Sequence, residues 1–351
     1  MPILSPSFLF SLESNLRVAQ VGAYDSLLNT KNRWVDKVAR FLPTGAGKEI
    51  VSWLIESAGL DQSLDPSVEF KGLSIQEMAF VPEFIKGAIE IQRSQLEDLD
   101  GRGVQVLQSW VKQIAAQAFW WPQKQTAKIL AAGETGLAFD NVSFFNVAHP
   151  VTQLAGQAAF GTYANLFTGA PYSVAATDAN QSLYPGALNI TSATAAQVFT
   201  GLQGIFGYIA SIKQADGITP RFLTPKYTLL PPNLYPIMST TLNARFIAMS
   251  NGSQDITGNL NDLGFGQPLL ANELTDGYSF YIVAEEAGAD ELGAIAYVER
   301  EPIAVRYFTG EGGGNMTDSF LSENDTVKYI SRGRAVAGYG LPYKIFKVKA
   351  T

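Results

Sequence analysis

One apolar stripe limits what this chain can fold into more than any other feature. Val104, Leu107, Val111, Ile114, Ala118 and Trp121 follow one another at spacings of 3, 4, 3, 4 and 3 residues, the period of one face of an α-helix. The helical signal runs from about Ser94 to Gly133. Gly101 and Gly103 weaken its first turns, and Pro122 is placed to kink it. Even the 30 residues from Gly103 to Ala132 span roughly 45 Å at about 1.5 Å per residue. That is longer than most helices of compact domains, so this one is expected to act as a spine.

What precedes the spine does not form a core by itself. Leu12 to Leu28 is a short amphipathic stretch, and Trp34, Val35, Val38, Ala39 and Phe41 follow at helical spacing up to Pro43-Thr44-Gly45. These residues read as an arm that must lie against something else, in the same subunit or a neighbouring one. Between Glu49 and Ile91 come short β-like runs, Ile50 to Ile55 and Glu69 to Leu73, separated by the polar run from Asp61 to Ser67. The pattern is that of a long two-stranded excursion. An isolated hairpin is marginal in water, so Trp34, Phe41, Trp53, Leu54 and Phe70 are expected to be covered by neighbouring copies of the chain.

Beyond the spine the pattern changes. Leu137 to Ala148 is a compact run holding Phe139, Val142, Phe144 and Phe145, and the stretch to about Ile190 reads as loops and short strands. A second helix is predicted over about Thr194 to Gln214, with Val198, Leu202, Ile205, Ile209 and Ile212 on one face and Asp216-Gly217 as its stop. A strand at Tyr227 to Leu230 ends at Pro231-Pro232, and a short helix is expected from Tyr235 to Met249. The last hundred residues carry β-like runs at Tyr278 to Ala284, Gly293 to Val298, Ile303 to Phe308, Val327 to Ile330 and Lys344 to Val348. The class is α+β.

The residues offer little chemistry. There is no cysteine, hence no disulfide, thiolate nucleophile or cysteine-bound metal, and His149 is the single histidine. A Ser-His-Asp triad would have to run through His149, which sits between Phe144-Phe145-Asn146 and Pro150 and reads as a packed residue at a turn. Gly45-Ala46-Gly47-Lys48 suggests a phosphate loop, but Leu42 stands where its first glycine belongs and Glu49 where its Ser or Thr belongs. The Gly310 to Gly314 stretch lacks a lysine and a following helix, and reads as a surface loop. Glu285-Glu286 and Asp98/Asp100 have no apolar pocket to separate their titrations. Phe119-Trp120-Trp121 has only Lys124 near it, too little positive charge for a base-stacking platform. A net charge of −7 argues against gripping nucleic acid. No segment is long and apolar enough for a membrane helix, and no secretory leader is expected. No catalytic, cofactor-binding or metal-binding residue is therefore named.

The order of several stretches resembles the Mu-like bacteriophage major head subunit (gpT) family. The stretches are the spine helix, Phe139-Asp140-Asn141-Val142-Ser143-Phe144-Phe145-Asn146 with His149-Pro150-Val151, Lys213-Gln214-Ala215-Asp216-Gly217, and the run from Leu223 to Leu234. Glu299-Arg300-Glu301-Pro302-Ile303 and the closing run from Tyr329 to Gly340 complete the set. The resemblance covers about 250 residues, and over the N-terminal hundred it is one of layout more than of motif. It implies the tailed-phage major capsid fold: an N-terminal arm at 1–46, an extended β-hairpin loop at 47–93, a peripheral domain with the long spine helix at 94–190 and 326–351, and an axial domain at 191–325. It implies a structural subunit, not an enzyme, that assembles into pentamers and hexamers and forms the icosahedral head around double-stranded DNA. Scaffold, portal and decoration proteins are its implied further partners. The DNA would be contacted non-specifically, and the virion would be built in the host cytoplasm. The family layout also places Arg93, Arg332 and Arg334 near subunit contacts, beside Trp34, Phe41, Trp53 and Phe70. The alternative is an encapsulin-like compartment that stores cargo protein, and a hydrolase using His149 is the remaining one.

Overall fold

The computed structural model describes residues 6–56, 74–92, 94, 102–151, 161–168, 195–214, 219–243, 246–248, 255–257, 266–286, 292–307 and 326–349. Helix α1 (Pro6–Thr30) and the four-residue α2 (Val35–Val38) lead into strand β1 (Ala39–Pro43). Strand β2 (Glu49–Glu56) pairs antiparallel with β3 (Ser74–Phe80), and β4 (Glu83–Gln92) follows. The spine is α3 (Arg102–Ala132), one helix of 31 residues that continues through Pro122. Short strands β5 (His149–Pro150), β6 (Thr162–Tyr163) and β7 (Leu166–Phe167) precede α4 (Ala195–Ser211). Then come β8 (Leu223–Leu230), α5 (Tyr235–Asn243), β9 (Phe246–Ala248), β10 (Asp255–Thr257), β11 (Gln267–Leu270), β12 (Ser279–Glu286), β13 (Ile295–Tyr307), β14 (Thr326–Tyr339) and β15 (Ile345–Lys349).

Two sheets organise these elements: β1-β13-β14-β4 and β11-β8-β12-β15-β7. The four-stranded sheet turns one face toward the spine, where Leu107, Val111 and Ile114 close a core with Leu12 and Leu16 of α1, Ile91 of β4, Val305 of β13, and Val327 and Tyr329 of β14. Burying side chains such as Leu107 and Val111 contributes about 1.5–3 kcal/mol each. The five-stranded sheet buries Phe280, Ile282, Phe346 and Val348 against Val198, Leu202, Ile205 and Ile209 of α4 and Met238 of α5. A third cluster, with Leu130, Phe144, Phe145, Leu229, Tyr281 and Ile295, ties the end of the spine to both sheets.

Four expectations change. The helical spacing of Trp34 to Phe41 gives only one turn, because β1 pairs in parallel with β13 (Phe41 opposite Tyr297) and Ala39 turns extended. The partner of β2 is Ser74–Phe80, while 69–73 lies outside the described residues. Tyr235 to Met249 is a helix only to Asn243, and Phe246–Ala248 is a strand. The runs at 293–298 and 303–308 belong to one 13-residue strand, in which Pro302 falls within a pair of register shifts between Glu299 and Ala304, a place where a ladder tolerates proline.

The last strands also cross the domain limits drawn from the resemblance. β13, placed at 191–325, pairs with β14, while β15, placed with 326–351, pairs with β12 of the other sheet. β13 packs against the spine through Val305, and β15 lies in the five-stranded sheet.

Candidate assembly surfaces

The only histidine is locked in place. His149 is fully buried, its Nδ1 lies 2.7 Å from Asp140 Oδ2, its Nε2 lies 3.1 Å from the Phe144 carbonyl, and its ring stacks on Tyr163. With both ring nitrogens committed, it pins the 137–148 loop and has no free nitrogen to act as a base. Burial first, then the Asp140 charge, push the Tyr163 hydroxyl well above the usual phenol range, so that group is a neutral packing element. Thr44 holds the Gly45–Lys48 turn through the Glu49 carboxylate and the Ala46 N–H, and the turn opens a strand instead of a helix, which removes the phosphate-loop geometry. Among the described residues no group of three His, Asp or Glu could hold a metal.

The residues expected at contacts fall in different places. Trp34 is 5% exposed and covered by its own chain. Its backbone N–H donates to Gln123 Oε1 at 3.0 Å, its indole N–H donates to Glu273 Oε2 at 2.9 Å, and Gln123 Nε2 donates to Glu273 Oε1 at 2.9 Å. This closed triangle corrects the expectation that Trp34 waits for a neighbour. Phe41 is half-buried against Tyr297, with the Arg33 guanidinium over its ring. It lines a cavity of about 450 Å³ between α1, the spine and β13. Burial pushes the Glu299 carboxyl in that cavity up, and the Arg33 charge opposes it in part. Trp53 stands opposite Gln76 on the β2–β3 ladder, and its side chain lies outside what is described, as do Phe70 and Arg93.

Arg332 and Arg334 are brought together with residues the sequence reading did not single out. Period-two alternation along β4 turns Ile85, Ile89 and Ile91 inward and Phe84, Lys86 and Glu90 outward. Register places Arg334 opposite Phe84 and Arg332 opposite Lys86. Phe84 is 48% exposed, and Arg334, Arg332 and Lys86 lie over its ring at 3.7, 4.7 and 5.1 Å from the centroid. The Nε–H groups of both arginines are shut off from solvent and meet no acceptor among the described residues. Desolvation, and after it the charges of Arg300 and Arg332, pull the Arg334 guanidinium below its ordinary value against the opposing Glu301. The alternation in Glu83-Phe84-Ile85-Lys86-Gly87-Ala88-Ile89-Glu90 was the available signal.

A second charged cluster is internal. Lys347, 3% exposed, donates to Glu134 at 2.6 Å and lies 3.8 Å from Asp276, while Lys349 reaches the other Glu134 oxygen at 3.1 Å. Partial burial alone would raise the Glu134 carboxyl, but the hydrogen bonds and charges of the two lysines outweigh it and hold it below the usual value.

With this geometry in hand, comparisons with known proteins gave two family matches. The model of the Mu-like prophage major head subunit gpT matches residues 14–188, and that of the phage capsid protein matches residues 151–348. No curated protein matches the sequence. Among solved structures, the capsid of the cyanophage P-SCSP1u is similar with a TM-score of 0.50 at 10% identity, over 89% of this chain and 86% of that one. The procapsid of bacteriophage JBD30 gives 0.49 at 16% identity, over 99% and 76%. The mature capsid of bacteriophage PhiM1 gives 0.49 at 12%, over 92% and 88%. Identities this low bear on the fold alone.

Proposed function

Since the chain belongs to the phage capsid protein family, we propose that it is the repeating unit of a head shell, arranged as pentamers and hexamers around double-stranded DNA. It is a structural capsid subunit with the α+β tailed-phage capsid fold, it forms shells of many copies, and it is not an enzyme. The observation that carries this is the tiling of the two family matches, 14–188 and 151–348, across nearly the whole chain. The encapsulin-like reading is not favoured, since both matches are to phage head proteins.

Finer parts of the reading are our proposals. The arm and the β2–β3 excursion reach sister copies, with Phe41, Trp53, Phe70, Arg93, Arg332 and Arg334 at contacts and Trp34 holding the arm from behind. Ile50 and Val81, both more than half exposed at the foot of the excursion, support this. For the limits drawn from the resemblance, our proposal keeps the arm at 1–46 and the loop at 47–93, with β1 and β4 lending their strands to the sheet that faces the spine, and gives 295–307 to the peripheral unit and 345–349 to the axial unit. Assembly in the host cytoplasm, with scaffold, portal and decoration proteins as partners, completes the proposal.

The test is negative-stain microscopy of the purified chain beside a variant lacking Leu60 to Val68. The intact chain should give closed particles, and the deletion a folded subunit that does not. Normal particles from the deletion would remove the role given to the excursion. Absence of particles from the intact chain, with its phage partners supplied, would count against the shell itself.

A further inference from the structure

Resting on the shell reading above, we propose that the outward face of the four-stranded sheet at Phe84, Lys86, Arg300, Arg332 and Arg334 receives carboxylates of a second copy of this chain.

Among the described residues the charge of this patch is not balanced. Among the described residues the carboxylate beside these four cations is Glu301, and it already accepts from Arg306 at 2.7 Å, leaving Arg332 Nε 4.0 Å away. Lys328 further along β14 faces Glu90 at 3.4 Å. Positive charge is thus concentrated on one patch of a chain that carries 32 acidic against 25 basic residues. A sister copy is therefore rich in the opposite charge, and such complementarity selects and orients partners.

The shape of the patch narrows the partner further. Two guanidinium planes held on an aromatic ring lose little rotamer freedom on binding, and their outer N–H groups suit bidentate capture of a planar carboxylate. Phe84 adds apolar surface for a partner to cover. Among the described residues β4 is an edge strand of the sheet, so a neighbour can approach from that side. A nucleic-acid backbone fits less well: a continuous line of phosphates needs an extended basic track, whereas Glu90, paired with Lys328, and Glu301, beside Arg332, interrupt this face.

The experiment compares particles of the wild-type chain with those of R332Q/R334Q, R332K/R334K and K86E across a sodium chloride series. Light scattering and negative-stain microscopy report disassembly, and absorbance at two wavelengths reports nucleic-acid content. K86E alters an exposed position of the edge strand and leaves both arginines in place, which keeps the test open if the double variant does not fold. Expected is a fall of roughly twofold or more in the salt concentration at which K86E and R332Q/R334Q shells come apart, with R332K/R334K in between because charge survives and the fork is lost. Shells of K86E and R332K/R334K with wild-type salt tolerance overturn the inference while leaving the shell reading intact. Unchanged salt tolerance with lost nucleic acid assigns the patch to nucleic acid and overturns it too. Failure of the wild-type chain to form particles is instead a failure of the shell reading.

Discussion

Gln20 and Val305 are joined as if by a strand pairing: the Gln20 Oε1 accepts the Val305 backbone N–H at 2.9 Å, and its Nε2 donates to the Ile303 carbonyl at 2.9 Å. One buried carboxamide therefore fills two ladder positions beside the register shifts of β13, and it fixes α1 to the sheet. Q20L preserves the volume but orphans a buried donor and an acceptor, at a cost of about 2–4 kcal/mol. Chemical denaturation should report the loss, and amide exchange at Val305 should accelerate. Unchanged exchange there would mean that α1 is held by its leucines alone.

The Lys347 cluster makes the chain sensitive to acid. Glu134 and Asp276 both titrate below their ordinary values of 4.5 and 3.8 when folded; partial burial opposes this, while hydrogen bonds and the lysine charges outweigh it. A carboxyl with a depressed folded value contributes stability above its unfolded value and loses it as pH falls through the folded one. E134Q should thus cost roughly 1–3 kcal/mol at neutral pH by taking a partner from the buried Lys347. The gap to wild type should narrow as the pH falls below the ordinary value of 4.5. Melting curves at several pH values decide it, and a gap that does not narrow as the pH falls refutes the linkage.

Trp34 links the arm to two distant parts of the chain. W34F keeps most of the ring but drops the indole N–H to Glu273, and should lower stability by about 1–2 kcal/mol. W34A also opens a cavity and should lower it by about 3–5 kcal/mol. If Trp34 were instead a contact between copies, both variants would fold with wild-type stability and fail only at assembly.

His149 should prove structural. H149A removes a buried ring with two polar partners, so unfolding should become easier by about 2–4 kcal/mol. Particles should still form at low temperature, and melting temperature and microscopy on one preparation check both halves. Loss of particles with unchanged melting would place His149 at a contact.

How much was legible depended on how local the cause was. The spine and α4 were readable because the 3.6-residue period of their apolar faces is written in consecutive turns; the spine's end at Ala132 and both ends of α4 lie within a few residues of those expected, while the spine's helix is described only from Arg102. β14 was readable only over Val327 to Ile330, since Ser331-Arg332-Gly333-Arg334-Ala335-Val336-Ala337-Gly338 has Val336 as its single usual strand former. The reason is remote: a Cβ at Gly333 would collide with Ile303, and one at Gly338 with the Phe80 ring. These glycines mark close packing, not a break. Trp34 was misjudged for a similar reason, its partners lying 89 and 239 residues away. Arg332 and Arg334 came from the family layout, while Phe84 and Lys86 awaited the register that sets them side by side.

The four-stranded sheet draws on residues 39–43, 83–92, 295–307 and 326–339. On the ribosome, β1 and β4 have no partner from this sheet until most of the chain has emerged, which makes closure a late and slow event. A stalled or truncated product thus cannot present the surface by which finished subunits would recognise one another, and the growing shell is spared incomplete bricks.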